Sequence, residues 1–194
     1  MPKLLYIRDA GNALLLLGID EEGECVRYTV SRVLYSELGS PSRGEELSED
    51  LVAEIRLYDE HHRAKKKALS LLSYSDKNEV TLKRRLVADG FSRELADEVS
   101  REMVSLGYVN EERQLERLIL NEANVKLKGP MKILPTLVGK GYSSEDVKRV
   151  MHSLIDSGEL DFKENAKRLI EKRLSECDDS EEIKKLLYRN GYKI

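Results

Sequence analysis

Leu86-Val87-Ala88-Asp89-Gly90-Phe91-Ser92 returns as Leu137-Val138-Gly139-Lys140-Gly141-Tyr142-Ser143, with Gly90 falling on Gly141 at a distance of 51 residues. The register then holds without a gap. Val99 falls on Val150, Met103 on Leu154, Val104 on Ile155, Gly107 on Gly158, and Arg117-Leu118-Ile119 on Arg168-Leu169-Ile170. A third copy reaches Leu187-Tyr188-Arg189-Asn190-Gly191-Tyr192, where Gly191 follows Gly141 by 50 residues. A period of this length belongs to a stacked array of small helical units, each of which buries its apolar face only against its neighbours.

Each copy decodes as three helices. The second ends at Gly90, Gly141 or Gly191, where a residue without Cβ takes the left-handed conformation cheaply, and the aromatic that follows (Phe91, Tyr142, Tyr192) closes the corner. Ser92 and Ser143 then cap a third helix, with Glu94 and Glu145 in its first turn where carboxylates suit the helix dipole. Leu95, Val99, Met103 and Leu106, and then Val147, Val150, Leu154 and Ile155, trace an apolar stripe at helical spacing, which is expected to be core. Gly107 and Gly158 end these helices, and short connections place consecutive helices side by side. Gly129-Pro130 opens the second helix of the second copy, and Pro135 inside it is expected to kink or loosen one turn.

Outward from the repeat the grammar changes. Lys3 to Arg8, Ala13 to Ile19 and Glu24 to Val30 alternate like strands and are separated by Asp9-Ala10-Gly11-Asn12 and Asp20-Glu21-Glu22-Gly23, which is turn chemistry. A small antiparallel meander is predicted, too small for an independent core and so packed on the helix that follows. Gly39-Ser40-Pro41-Ser42-Arg43-Gly44 is a loop rich in helix breakers, and Ser48 caps a helix from Glu49. The predicted organisation is a meander with a short helix and loop over 1–47, then helical copies over 48–110, 111–161 and, truncated, 162–194. The fold class is mainly α, with tandem three-helix repeats forming an elongated curved array.

Of the 194 residues, 36% are charged and 40% hydrophobic, a soluble profile. The longest apolar run, Ala13 to Ile19, is far short of the ~20 residues that span a bilayer. Met1-Pro2-Lys3-Leu4 does not open a secretory leader, and a cytoplasmic location is expected. Cys25 and Cys177 lie far apart and are expected to be free thiols. His61, His62 and His152 lack metal-site spacing, and a solvated helix face accounts for them. Asp178-Asp179 and Glu181-Glu182 are expected to serve a helix start. Neither a phosphate-binding glycine loop nor a nucleophile elbow is present, so no catalytic constellation and no cofactor are expected.

What remains is charge. The net charge of −3 divides into −6 over 1–63 and +3 over 64–194. No acidic residue occurs from Ala123 to Ser144, whereas Lys126, Lys128, Lys132 and Lys140 fall there. Lys65-Lys66-Lys67 and Lys83-Arg84-Arg85 add further positive patches, although a solvated helix face is the simpler account of any one of them.

These residues together resemble the RecX family of bacterial recombinase regulators, over essentially Lys65 to Tyr192. The resemblance is carried by Ala68-Leu69-Ser70-Leu71-Leu72, Asn78-Glu79-Val80 with Lys83-Arg84-Arg85-Leu86, Leu106-Gly107-Tyr108-Val109-Asn110-Glu111-Glu112-Arg113, and Gly129-Pro130 with Ile133, Leu137, Lys140 and Gly141. Thr136 departs from a pattern that is usually acidic at that place. The resemblance implies a non-enzymatic monomer that binds the RecA nucleoprotein filament. It implies limits on the filament's extension, ATP hydrolysis, strand exchange and coprotease activity, with at most weak, non-specific affinity for single-stranded DNA. Lys126, Lys128, Lys132 and Lys140, with Lys83, Arg84, Arg85, Arg113 and Arg117 as further candidates, are expected to face the acidic surface or DNA of that filament. Two other classes stay open: a helix-turn-helix-like DNA reader, since three-helix units resemble such readers, and a helical adaptor for another partner.

Overall fold

The computed structural model describes residues 1–173 and 180–193. Cys177 and the Asp178-Asp179 pair lie outside the described residues. Three strands, β1 (Lys3–Gly11), β2 (Leu14–Glu21) and β3 (Glu24–Ser31), precede helices α1 (Arg32–Glu37), α2 (Glu49–Tyr74), α3 (Glu79–Ala88), α4 (Arg93–Ser105) and α5 (Glu111–Leu120). A π turn (Asn121–Val125) then leads to α6 (Pro130–Val138), α7 (Ser144–Asp156), α8 (Phe162–Arg173) and α9 (Ser180–Arg189). The chain divides into two compact units, one of Met1–Leu71 with Leu86–Val99, the other of Leu72–Arg85 with Ser100–Ile194.

In the first unit the strands form an antiparallel sheet in the order β1-β2-β3. They run longer than their pattern predicts because the turns between them are only two residues long. Gly11 pairs with Leu14 and Glu21 with Glu24, and both central residues of each turn, Asn12 with Ala13 and Glu22 with Gly23, have positive φ. That is the backbone whose twist matches paired strands. Leu4, Leu15, Leu17, Ile19, Tyr28 and Val30 point to one face, where they form a core with Leu47 and with Val52 and Ile55 of α2. The meander thus finds its missing layer on α2, as expected. Both outer strands are interrupted as templates. Asp59 of α2, itself buried, accepts a hydrogen bond from Thr29 N–H of β3 at 2.8 Å. β1 carries register shifts at Leu4/Tyr6 and Asp9/Gly11.

In the second unit Leu115, Ile119, Ile133, Leu137, Val147, Val150 and Leu154 form the larger core, and Leu127, Leu169 and Tyr192 a smaller one. The expected stripe is correct at Val99, Met103, Val147, Val150 and Leu154. It fails at its ends: Leu106 is 56% exposed and Ile155 42%. Leu106 lies beyond the last turn of α4, and on α7 the buried arc is filled by Met151 instead, one position round the helix. α6 runs unbroken through Pro135. The loosening expected there reduces to the one hydrogen bond that a residue without N–H cannot give to Met131.

The three glycine corners share one conformation. Gly90, Gly141 and Gly191 have φ of 96°, 97° and 86°, and the aromatic after each donates its N–H to the carbonyl five residues back: Phe91 to Leu86, Tyr142 to Leu137 and Tyr192 to Leu187. This closure satisfies helix-end carbonyls that would otherwise be orphaned. Two of the corners also dock on the start of an earlier helix. At Gly191 the carbonyls of Asn190 and Gly191 accept from Gly129 N–H (2.8 Å) and Met131 N–H (3.1 Å), which are free amides at the start of α6. The Tyr192 hydroxyl donates to Leu127 O at 3.1 Å. At Gly141 the carbonyl of Lys140 accepts from Asn78 Nδ2 at 3.0 Å, while Asn78 Oδ1 caps α3 by accepting from Thr81 N–H. The Tyr142 hydroxyl donates to buried Gln114, whose amide donates to Lys77 O. Burial, with the nearby Glu111 charge, pushes the Tyr142 phenol up to about 12, so it stays a donor at neutral pH. Gly129 and Gly191 approach so closely that a Cβ on Gly129 would lie 2.3 Å from Gly191 O.

Glu122, in the π turn, is 2% exposed. Its carboxylate receives Lys126 Nζ and Lys128 Nζ, each at 2.5 Å. Burial pushes this carboxyl up, but the two lysines outweigh burial and hold it below the usual carboxylate value.

Three outcomes follow for stability measured by urea denaturation. Val150→Ala is expected to lose about 1–3 kcal/mol, because Val150 is 2% exposed in a closed core. Gly129→Ala is expected to lose roughly 1–3 kcal/mol although its φ of −81° suits alanine, since the new methyl meets backbone that cannot yield without opening the joint. The Glu122 carboxyl titrates below its ordinary range, so its contribution is complete above about pH 4.5 and is lost as pH falls through the lowered value. Glu122→Gln therefore flattens the acid limb of the stability profile and costs about 1–3 kcal/mol at neutral pH.

Candidate partner-binding surface

The expected site residues lie on α3, α5, the π turn, α6 and the α6 corner, and the structure gives them different employments. Lys126 and Lys128 are engaged with Glu122, the acidic residue just before the acid-free stretch. Arg117 pairs with Asp76 at 2.6 Å. Arg84, Arg85, Arg113, Lys132 and Lys140 are exposed and make no ion pair among the described residues. Lys83 is half-buried. Sequence reading missed this division because Glu122 sits outside the acid-free window and its inward aim comes from the π turn. A one-residue bulge of this kind rotates the side chains that follow it and leaves no mark in apolar periodicity.

A cleft of about 320 Å³ brings together four cations, Lys77, Arg84, Arg117 and Lys140, against one carboxylate, Asp76. Its floor is the joint of Asn78, Gln114 and Tyr142 described above, and its wall is the Gly139–Lys140 corner. The hydrogen-bonded joint fixes the spacing of these charges, because Asn78 and Gln114 lock α3, α5 and the α6 corner to one another. A neighbouring cleft of about 600 Å³ shares Asp76, Gln114 and Arg117 and adds Arg113 with Tyr108, but Glu116 and Glu159 make it charge-balanced. The first cleft is therefore the positive one, suited to carboxylates or phosphates rather than to a neutral ligand. Lys132 stands apart from it, against the Gly191 corner.

No group of three or more His, Cys, Asp or Glu residues suited to a metal occurs among the described residues. Described histidines make other contacts: His61 reaches Glu98 at 3.5 Å and the His62 ring stacks on Tyr58. Cys25 is an exposed free thiol. No described helix is long and apolar enough to cross a membrane.

Comparison with known proteins gives one name repeatedly. The chain is 26% identical over 119 residues to the regulatory protein RecX of Listeria monocytogenes, a match covering 61% of this chain and 44% of that protein. Against regulatory protein RecX of Clostridioides difficile it is 26% identical over 76% of this chain and 66% of that protein. The corresponding protein of Caldanaerobacter subterraneus is 27% identical over 78% and 75%. The match thus spans less than half the length of the Listeria relatives. No family model matches. A crystal structure of regulatory protein RecX superposes with a TM-score of 0.75 at 18% identity, over 100% of this chain and 95% of that one. RecX from Lactobacillus salivarius superposes with a TM-score of 0.59 at 19% identity, over 70% and 90%. These structures share the fold of an N-terminal antiparallel sheet followed by helices. With relatives and folds in agreement, the chain belongs to the RecX family.

Proposed function

We propose that this protein binds the filament that RecA forms on single-stranded DNA and restrains it by occupancy, limiting extension, ATP hydrolysis, strand exchange and coprotease activity without chemistry of its own. The observation that carries the reading is the positive cleft: Arg84 and Lys140 stand unpaired beside Arg117 and Lys77, on a floor rigid enough to hold their spacing. Its relatives are named regulatory proteins. Arg84, Lys140 and Lys132 are the principal contacts in this proposal, with Lys83, Arg85, Arg113 and Arg117 around them. Lys126 and Lys128 contribute residual field, since their charges are largely spent on Glu122. Copied helical units suit a polymeric target, because several modest contacts to one polymer add as avidity.

The test is ATP hydrolysis by RecA on single-stranded DNA with this protein titrated in. The wild type is expected to lower the rate. Arg84→Glu with Lys140→Glu is expected to raise the half-inhibitory concentration at least about tenfold, equivalent to ~1.4 kcal/mol, with unchanged helicity. Reversal of Lys126 or Lys128 is a poorer probe because it also unseats Glu122. ATPase untouched by the wild type rejects the proposal. Tight binding to bare DNA with a steep salt slope and sequence preference replaces it with the direct DNA reader.

A further inference from the structure

The two docked corners carry a second shared feature, on their outer side. Val80 and Met131 are the second residues of α3 and α6 and are 51 positions apart. Val138 and Tyr188 each lie three residues before a corner glycine. All four are exposed, at 37%, 54%, 42% and 66% respectively, and none belongs to the cores around Leu137 or Tyr192. Each pair brackets one glycine. Val80 lies against Gly141, 3.1 Å from where its Cβ would be, and Val138 O accepts Gly141 N–H. Met131 N–H donates to Gly191 O, and Tyr188 O accepts Gly191 N–H. Two joints thus present two exposed apolar side chains apiece at equivalent places in the repeat.

Their surroundings are basic. Lys140 adjoins Gly141, the Lys132 stem lies against Gly191, and neither ammonium has a carboxylate partner among the described residues. α6 contains no acidic residue at all. Three of the four apolar groups are aliphatic or thioether chains, which offer neither a π face to a nucleobase nor a donor to a phosphate. An apolar centre with a cationic rim complements protein whose own contact is apolar within an acidic rim. Recurrence at equal repeat positions points to a partner that presents the same contact more than once.

We infer that the outer sides of the two joints, Val80 with Val138 and Met131 with Tyr188, are paired docking points for successive identical protein subunits of a polymer, separate from any contact with its nucleic acid. The identity of that polymer rests on the filament reading above, and the test keeps the two apart. Binding of the full chain to preformed RecA filaments on single-stranded DNA is measured by sedimentation for the wild type, Val138→Ser, Met131→Ser with Tyr188→Ser, and the three combined. Each partial variant is expected to weaken binding by roughly tenfold and the combination by considerably more, as for a bivalent contact, with the melting temperature near that of the wild type. If serine disturbs the fold, Val80→Thr with Val138→Thr changes polarity at nearly constant volume and takes its place. Wild-type and combined-variant affinities that coincide overturn the docking points and leave the filament reading standing. A wild type that does not bind the filament removes both. Wild-type self-association abolished by the same substitutions assigns the surface to a second copy of this chain and overturns the inference.

Discussion

The contact on which the second unit depends is backbone against backbone. A helix ending in a left-handed glycine presents carbonyls outward, and a helix beginning nearby presents amides with no partner of their own. Where Asn190 and Gly191 meet Gly129 and Met131, each end supplies what the other lacks, and the opposed helix dipoles favour the same pairing. Removal of two side chains, at Gly129 and Gly191, is what lets the strands of backbone come within hydrogen-bonding range. At the Gly141 joint the same task is done with side chains, since Asn78 stands at the position equivalent to Gly129 and reaches the Lys140 carbonyl with its amide. One joint is made by absence of atoms, the other by an added amide, and the geometry of the positive cleft follows from the second.

Tyrosine and phenylalanine at the corners record the same difference. Tyr142 and Tyr192 are buried and spend their hydroxyls on groups from an earlier helix, Gln114 and Leu127 O. Phe91, half-buried at a glycine whose missing Cβ would meet nothing, has no such bond to make.

Much of this was legible beforehand. The helix starts at Ser48, Ser92 and Ser143, the glycine ends, the meander and its dependence on α2 all follow from local rules that a single sequence exposes. The apolar stripe was legible except at its margins, because a list of aliphatic residues does not say where the last turn stops; hence Leu106 and Ile155. The charges were least legible. Lys126, Lys128, Lys132 and Lys140 look alike in sequence, yet two of them neutralise a carboxylate buried by a π turn and two stand free. Periodicity describes which way an ideal helix faces, and Glu122 is aimed by a departure from the ideal.

The carboxylate of Asp59 on Thr29 has a consequence for the sheet as a whole. A three-stranded sheet has two rims, and unpaired amides along a rim invite strands from other molecules to add themselves. Here a helix side chain occupies one of those amides, and bulges break the rhythm of the opposite rim. The sheet is thereby discouraged from growing, and the chain's surfaces for meeting other proteins are left to its helices.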